Sequence, residues 1–183
     1  KYAPHFGMFR NHCKDLIDQL KFAADQGFHA WEDNGMMRKP VEMQEKIAKT
    51  MADLGMTMGV FVAPIGGNLV KSGKDVRQKA VEGAKKAVET AKRVNAKWCT
   101  VVPGKYNPRL EWDYQMANCV ENLKYAAEIC EPAGLTMVLE PLSWWANHPG
   151  LFMQKIPHAY MICRAVNSPC CKIVDDLYHQ QIT

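Results

Sequence analysis

A chain of 183 residues, 48% hydrophobic and 23% charged, holds enough apolar material for one sizeable core and belongs to the ordinary globular class, not the disordered or fibrous ones. Its formal net charge of +4 is too small to make nucleic acid a partner by charge alone, and no apolar run approaches the ~20 residues that span a bilayer. No secretory signal is visible, although Lys1 leads straight into the first predicted strand and a removed leader is compatible with that.

The seven cysteines, at positions 13, 99, 119, 130, 163, 170 and 171, form an odd set without zinc-site spacing. Cys119, Cys130 and Cys163 fall on the inward faces of predicted helices. We expect reduced, buried thiols in a reducing, cytoplasmic compartment.

In chain order, residues 2–7 read as a short strand ending in a turn. Residues 15–26 place Leu16, Leu20, Ala23 and Ala24 on one face and stop at Gly27, which is a helix. Residues 28–32 are a second strand, closed by Asp33-Asn34-Gly35. A helix over 41–54 carries Ile47, Ala48, Met51 and Leu54 at helical spacing, and a third strand covers 56–62. Residues 63–73 form a loop. The longest helix, 74–94, buries Val76, Ala80, Ala84, Ala87, Val88, Ala91 and Val94. Its Glu82–Lys86 and Glu89–Arg93 spacings favour i,i+4 pairs, and its lysines read as a solvated face. A fourth strand, 96–102, ends at Pro103-Gly104. A helix follows over 112–130 with Met116, Cys119, Val120, Leu123, Ala127 and Cys130 inward.

Residues 135–142, Leu-Thr-Met-Val-Leu-Glu-Pro-Leu, are the fifth strand. The near-continuous apolar run is that of a strand buried on both faces. Glu140 sits at its end and Pro141 breaks it. A long loop leads to a helix over 157–166, opened by Pro157. The sixth strand, 171–176, ends in Asp175-Asp176, with His179 in the loop beyond it.

Strict strand–helix alternation with no shift in composition predicts one α/β domain, residues 1–183, around a parallel sheet. No GxGxxG follows the first strand and no GxxxxGK[ST] occurs, which removes support for dinucleotide and P-loop folds. A (β/α)8 TIM barrel fits better, but it typically takes ~250 residues. The chain supplies about five βα units and a sixth strand, so we expect the seventh and eighth strands to lie beyond Thr183.

Carboxylates at the ends of adjacent parallel strands share the edge where α/β folds place their chemistry, so Glu140 and Asp176 are candidate ligands of one divalent metal ion. Oxygen ligands suit Mg or Mn, and an imidazole widens the set to Co, Zn or Ni. The structural alternative is that each carboxylate caps a helix or pairs with an arginine. His179 can ligate, or donate to a substrate oxygen, or lie idle on the surface. Asp175 should face away from Asp176, because strand side chains alternate. His5 and Glu32 end the first two strands and are candidates for the substrate mouth; Glu32 is equally a structural acid near Arg38 or Lys39. Trp144, Trp145, His148 and Phe152 form either an apolar lid or a packing surface.

Leu139-Glu140-Pro141-Leu142, Pro149-Gly150-Leu151-Phe152 and Asp176-Leu177-Tyr178-His179-Gln180 resemble the xylose isomerase-like TIM barrels. Ala3-Pro4-His5-Phe6-Gly7 and Glu32-Asp33-Asn34-Gly35-Met36 point to the branch of hydroxypyruvate isomerase and related sugar isomerases and epimerases. The resemblance implies one divalent metal with Glu140 and Asp176 as two of four ligands, the others coming from strands seven and eight. It implies Glu140 as one of two glutamates that move protons, and His179 as a contact to substrate oxygen. His5, Glu32 and Trp144 complete the substrate-facing candidates. The reaction implied is aldose–ketose isomerisation or epimerisation of a small hydroxycarbonyl molecule through a cis-enediolate, with no nucleic-acid or membrane partner and with self-association possible. The superfamily also contains abasic-site DNA endonucleases with a multi-metal cluster. Their histidine before a Pro-Gly at the fourth strand is replaced here by Val102-Pro103-Gly104. A non-catalytic binding protein is the third reading.

Overall fold

A computed structural model of the chain describes residues 2–182. It contains two compact units: the residues up to Val62 with Glu89–Cys99, and Ala63–Val88 with the residues from Thr100 onward.

In the first unit, helix α1 (Leu16–Asp25) begins where the Asp15 carboxylate accepts from the amides of Ile17, at 2.8 Å, and Asp18, at 3.3 Å. That satisfies two of the amides a helix start leaves unpaired. Strand β1 (Ala30–Trp31) pairs in parallel with β2 (Thr57–Met58). The continuous strand expected over 56–62 is divided at Gly59 into β2 and β3 (Val60–Val62). The Gly59 amide donates to Trp31 O at 2.7 Å, and a Cβ there would stand 3.2 Å from the same oxygen. The expected strand over 2–7 reduces to one parallel bridge between His5 and Glu32. A single 3-10 turn (Met36–Arg38) precedes helix α2 (Val41–Asp53). In α2, Ile47 and Met51 are buried as the spacing predicts. Buried Gln44 donates to the carbonyls of Met36 and Lys39 and accepts from Arg93 at 2.7 Å. Arg93 therefore reaches across to α2 as well as lying one turn from Glu89.

Helix α3 (Lys74–Val94) has the predicted bounds, with Ala80, Ala84, Ala87, Ala91 and Val94 buried along one stripe. Strand β4 (Trp98–Val101) follows it. In the second unit, helix α4 (Trp112–Cys130) also has the predicted bounds. Its Cys119, Leu123, Ala126, Ala127 and Cys130 are buried, and a fully buried leucine is worth about 2 kcal/mol. Two polar residues join that face. Gln115 donates to the carbonyls of Asn107 and Leu110, and Asn122 donates to those of Leu69 and Lys71.

Strand β5 (Thr136–Leu139) lies between β4 and β6 (Cys171–Ile173), and β5 pairs with β6 in parallel, Met137 opposite Cys171 and Leu139 opposite Ile173. Helix α5 (Ile156–Val166) connects them, opened by Pro157 in its first turn and closed by Asn167 in the left-handed region at φ 55°. Such β-helix-β connections with parallel pairing are the repeating unit of a barrel. One element was not foreseen: helix α6 (Leu177–Gln181) follows β6 after a short link. No helix among the described residues is long and apolar enough to cross a membrane.

Candidate functional site

Parallel pairing of β5 and β6 carries the chain out of both strands in one direction. Glu140 follows β5 directly, and its amide still donates to Val101 O at 3.2 Å, beside the end of β4. Val174 follows β6 and its amide donates to Leu139 O at 3.0 Å. The ladder thus extends one step past each strand, and Glu140 and Asp176 emerge at the same edge. Asp176 lies three residues past β6 instead of at its last position, because the strand ends at Ile173.

Asp176 is the N-cap of α6. Its Oδ1 accepts from the amides of Tyr178, at 2.9 Å, and His179, at 3.3 Å. The cap fixes the carboxylate and leaves Oδ2 directed elsewhere, 3.8 Å from His179 Nε2. Placing His179 in α6 and not in a loop buries it to 8% exposure and brings its ring back over Asp176. One ligand atom from each of Glu140, Asp176 and His179 lies within 4.8 Å of the other two. Among the described residues this is the one group of three or more such side chains gathered closely enough for a metal ion.

The donor set fits a divalent cation. Two ligand atoms about 2.1 Å from one ion stand at most about 4.2 Å apart, so a spread bounded by 4.8 Å closes with a small torsional adjustment. Two carboxylates and an imidazole are the mixed oxygen–nitrogen chemistry that Mn, Co and Zn accept.

A further layer orients His179. Its Nδ1 lies 3.0 Å from Ser143 Oγ, and the Ser143 amide points at it from 3.5 Å. The Tyr178 hydroxyl donates to Asn147 Oδ1 at 3.0 Å, and Asn147 Oδ1 lies 3.3 Å from Ser143 Oγ. An amide can only donate, so in the Ser143 contact Nδ1 is the acceptor, and Nε2 is the ring nitrogen on the side of Asp176. Ser143, Asn147 and Tyr178 are not visible as a site in the sequence, since none has diagnostic spacing. The cap was visible in principle, because Asp immediately before an apolar residue such as Leu177 is an N-cap signal.

The remaining candidates occupy varied settings. Asp175 is exposed. Trp144 packs on Trp145 with ring centroids 4.2 Å apart, and Trp145 is 71% exposed. His148 meets His179 edge-on at 5.2 Å, and burial, then the neighbouring His179, hold its pKa below the ordinary value. Phe152 is wholly buried and stacks on Trp112 at 4.2 Å, which makes it a packing residue. In the first unit, His5 is exposed and its ring Nδ1 lies 2.9 Å from Phe6 O, while Glu32 is half-buried. Its neighbour Asp33 is buried and pairs with Lys39 at 2.7 Å.

The chain matches the family model of the xylose isomerase-like TIM barrel over residues 20–183. It is 41% identical over 63 residues to a putative hydroxypyruvate isomerase of Xenopus laevis, covering 34% of this chain and 23% of that protein. It is 27% identical over 174 residues to a 2-oxo-tetronate isomerase of Pectobacterium atrosepticum, covering 91% of this chain and 64% of that one. The chain therefore spans less than two-thirds of the length of these relatives. In three dimensions it is similar to the crystal structure of AP endonuclease, family 2, from Brucella melitensis, with a TM-score of 0.86, 24% identity, all of this chain covered and 70% of the other; at that identity the likeness is one of fold.

Proposed function

The chain belongs to the xylose isomerase-like TIM barrel family, and from that premise we propose that it is the metal-binding part of an isomerase acting on a small hydroxycarbonyl molecule. The observation that carries this reading is the convergence of Glu140, Asp176 and His179 within 4.8 Å at one edge of the sheet. The names of the relatives give the substrate class. Hydroxypyruvate and a 2-oxo-tetronate both place a hydroxyl-bearing carbon beside a carbonyl.

Moving a proton between two such carbons requires a base, a donor for the developing negative oxygen, and neutralisation of the enediolate. Glu140 is the base. It takes the proton from the hydroxyl-bearing carbon, and the electrons left behind shift onto the carbonyl oxygen; a proton then returns to the former carbonyl carbon while the hydroxyl proton passes to the other oxygen, which exchanges the two groups. His179 turns Nε2 toward the same edge and is assigned, on the family resemblance, to a substrate oxygen. Asp176 keeps Oδ1 on the α6 amides and offers Oδ2 alone. A divalent ion held by Glu140 and Asp176 would supply Lewis-acid polarisation of the two substrate oxygens. Trp144, in the loop after β5, is assigned to the substrate side. Seven free thiols fit a reducing, cytoplasmic setting.

The test is conversion of hydroxypyruvate and of several ketoses by the metal-loaded full-length protein, with metal content read by elemental analysis. Glu140→Gln should lower turnover by about 10²–10⁴-fold, because the amide keeps an oxygen ligand but cannot accept a proton. His179→Ala should retain the metal and weaken turnover. Near-normal turnover in Glu140→Gln would remove it as the base. Nicking of abasic-site DNA without sugar isomerisation would move the assignment to the endonuclease branch.

A further inference from the structure

In the first unit, the turn that closes β1 gathers a base, an electrophile and a nucleophile in consecutive residues. Asp33-Asn34-Gly35 leaves the strand with a backbone neighbour on each side. The Glu32 amide donates to Pro4 O at 3.0 Å and the Asp33 amide to Val60 O at 3.1 Å. The Met36 amide donates back to Asp33 O at 3.1 Å, and Gly35, at φ -96° and ψ 3°, takes the third position of a type I turn. Asn34 is exposed, and it is the only asparagine in the sequence that precedes a glycine.

Asp33 is buried, and its two oxygens are committed separately. Oδ2 pairs with Lys39 Nζ at 2.7 Å, and Oδ1 accepts from the Gly35 amide at 2.9 Å. A Cβ on residue 35 would stand 3.3 Å from Asp33 Oδ1, 3.4 Å from Lys39 Nζ and 3.8 Å from Arg38 Nη2. The missing side chain thus lets a carboxylate and two cations press on one backbone amide.

We propose that Asn34 is a self-modification site, at which the Gly35 nitrogen converts the side-chain amide into a cyclic imide and water then opens it to an acid. Asp33 Oδ1 takes the Gly35 amide proton as the nitrogen attacks Asn34 Cγ. A C–N bond forms and the carbonyl π pair moves onto Asn34 Oδ1. The pair returns and the bond from Cγ to Nδ2 breaks. The departing nitrogen takes the proton from Asp33 and leaves as ammonia. Water then adds to one of the imide carbonyls. Opening at Cγ gives aspartate on the ordinary backbone, and opening at the main-chain carbonyl gives isoaspartate, with the chain routed through the side chain. One water enters and one ammonia leaves, with no change of oxidation state.

The neighbours suit each step. A carboxylate hydrogen-bonded to the proton it removes is a general base already in reach. Negative charge develops on the Gly35 nitrogen, beside the Lys39 and Arg38 cations. Glycine has no Cβ to hinder the backbone rotation that closes the ring. The product carries a new negative charge next to Asp33, which competes for Lys39, and the isoaspartate form lengthens the chain inside the turn.

The experiment incubates the full-length protein at neutral pH, native in one sample and unfolded in guanidinium chloride in another, and follows the tryptic peptide that contains Asn34. Trypsin cuts after Lys21 and Arg38, and Asn34 is the only asparagine between them. Fragmentation places the amide-to-acid mass shift on that residue, and an isoaspartyl methyltransferase counts the rearranged product. The denaturant keeps the sequence and removes the contacts, so the ratio of the two rates reads the contacts alone. The native rate should be about tenfold higher, less than the ~10²–10⁴-fold of an unhindered general base because the turn must open for ring closure. Asp33→Asn should bring the native rate down to the denatured one. A native rate at or below the denatured rate would overturn the proposal in the unsubstituted protein, whatever the variant does. So would a native rate left unchanged by Asp33→Asn in a variant that keeps its fold by circular dichroism.

Discussion

Asp176 serves two structures with two oxygens. Oδ1 holds the first turn of α6, and Oδ2 faces His179. The two roles separate by substitution. Asparagine caps a helix as well as aspartate does, but it brings no charge to a cation. Asp176→Asn should therefore keep α6 and the stability of the metal-free protein within about 0.5 kcal/mol, while metal content by elemental analysis falls away. Asp176→Ala should lose the cap as well, at a further cost of about 1 kcal/mol. Equal stability loss in both variants would mean that the cap contributes nothing. A second residue sets an acid limit. His158 lies against Trp112 at 4.7 Å, and its Nδ1 is buried with no hydrogen-bond partner among the described residues. Burial, then the charge of Lys155, lowers its pKa below 6.5. The unfolded chain then binds this proton at higher pH than the folded one, so the stability contribution is whole above pH 6.5 and is lost as pH falls toward the lowered value. In His158→Gln the decline of melting temperature below that pH should be shallower; an unchanged slope would assign the decline to other groups. At this scale the sequence disclosed Glu140, Asp176 and His179 through their places after apolar strands. It hid Ser143, Asn147 and Tyr178, because hydrogen bonds between a loop and a helix 31 to 36 residues apart leave no local pattern.

Helices were legible where they were long. The bounds of α3 and α4 follow from an apolar stripe sustained over five turns, with breakers at each end. Helix α6, at five residues, is too short to show a period, so His179 read as a loop residue. Strands were legible as locations and not as lengths. A parallel ladder depends on partners elsewhere in the chain, and the ladders here stop after two to four residues. The inward face of α4 shows a subtler failure. Apolar spacing selected Cys119, Leu123, Ala127 and Cys130 but passed over Asn122, which is 4% exposed. Its side chain donates to Leu69 O at 2.8 Å and Lys71 O at 2.9 Å, and so pins the 63–73 loop to α4. Asn122→Leu keeps the volume and removes both donors. Two loop carbonyls then lose partners, and a buried unsatisfied group costs about 1–3 kcal/mol, which exceeds the gain from one more apolar side chain in a site shaped for an amide. A drop of about 2 kcal/mol in unfolding free energy is expected, read by denaturant titration, and an unchanged midpoint would show that water replaces the amide without loss.

At the scale of the molecule, the parallel pairing of β5 and β6 converts the positions of two residues in sequence into one site in space. This has a thermodynamic consequence independent of turnover. Glu140 and Asp176 are held near one another only in the folded chain, so an ion that binds them binds the native state and not the unfolded one. At a free-ion concentration 100-fold above its Kd the gain is about 2.7 kcal/mol. For a chain of 183 residues each kcal/mol moves the melting temperature by about 2–4 °C, so a rise of about 5–10 °C is expected with Mn, Co or Zn. A chelator should reverse it. Asp176→Asn should abolish most of the rise, and Glu140→Gln should keep part of it, since the amide oxygen remains a ligand. His179→Ala should keep it nearly whole, since the ion is assigned to the two carboxylates; its loss would make the imidazole a ligand. A rise that persists in the combined Glu140→Ala, Asp176→Ala variant would place the ion elsewhere, and the free thiols of the second unit would be the next residues to test.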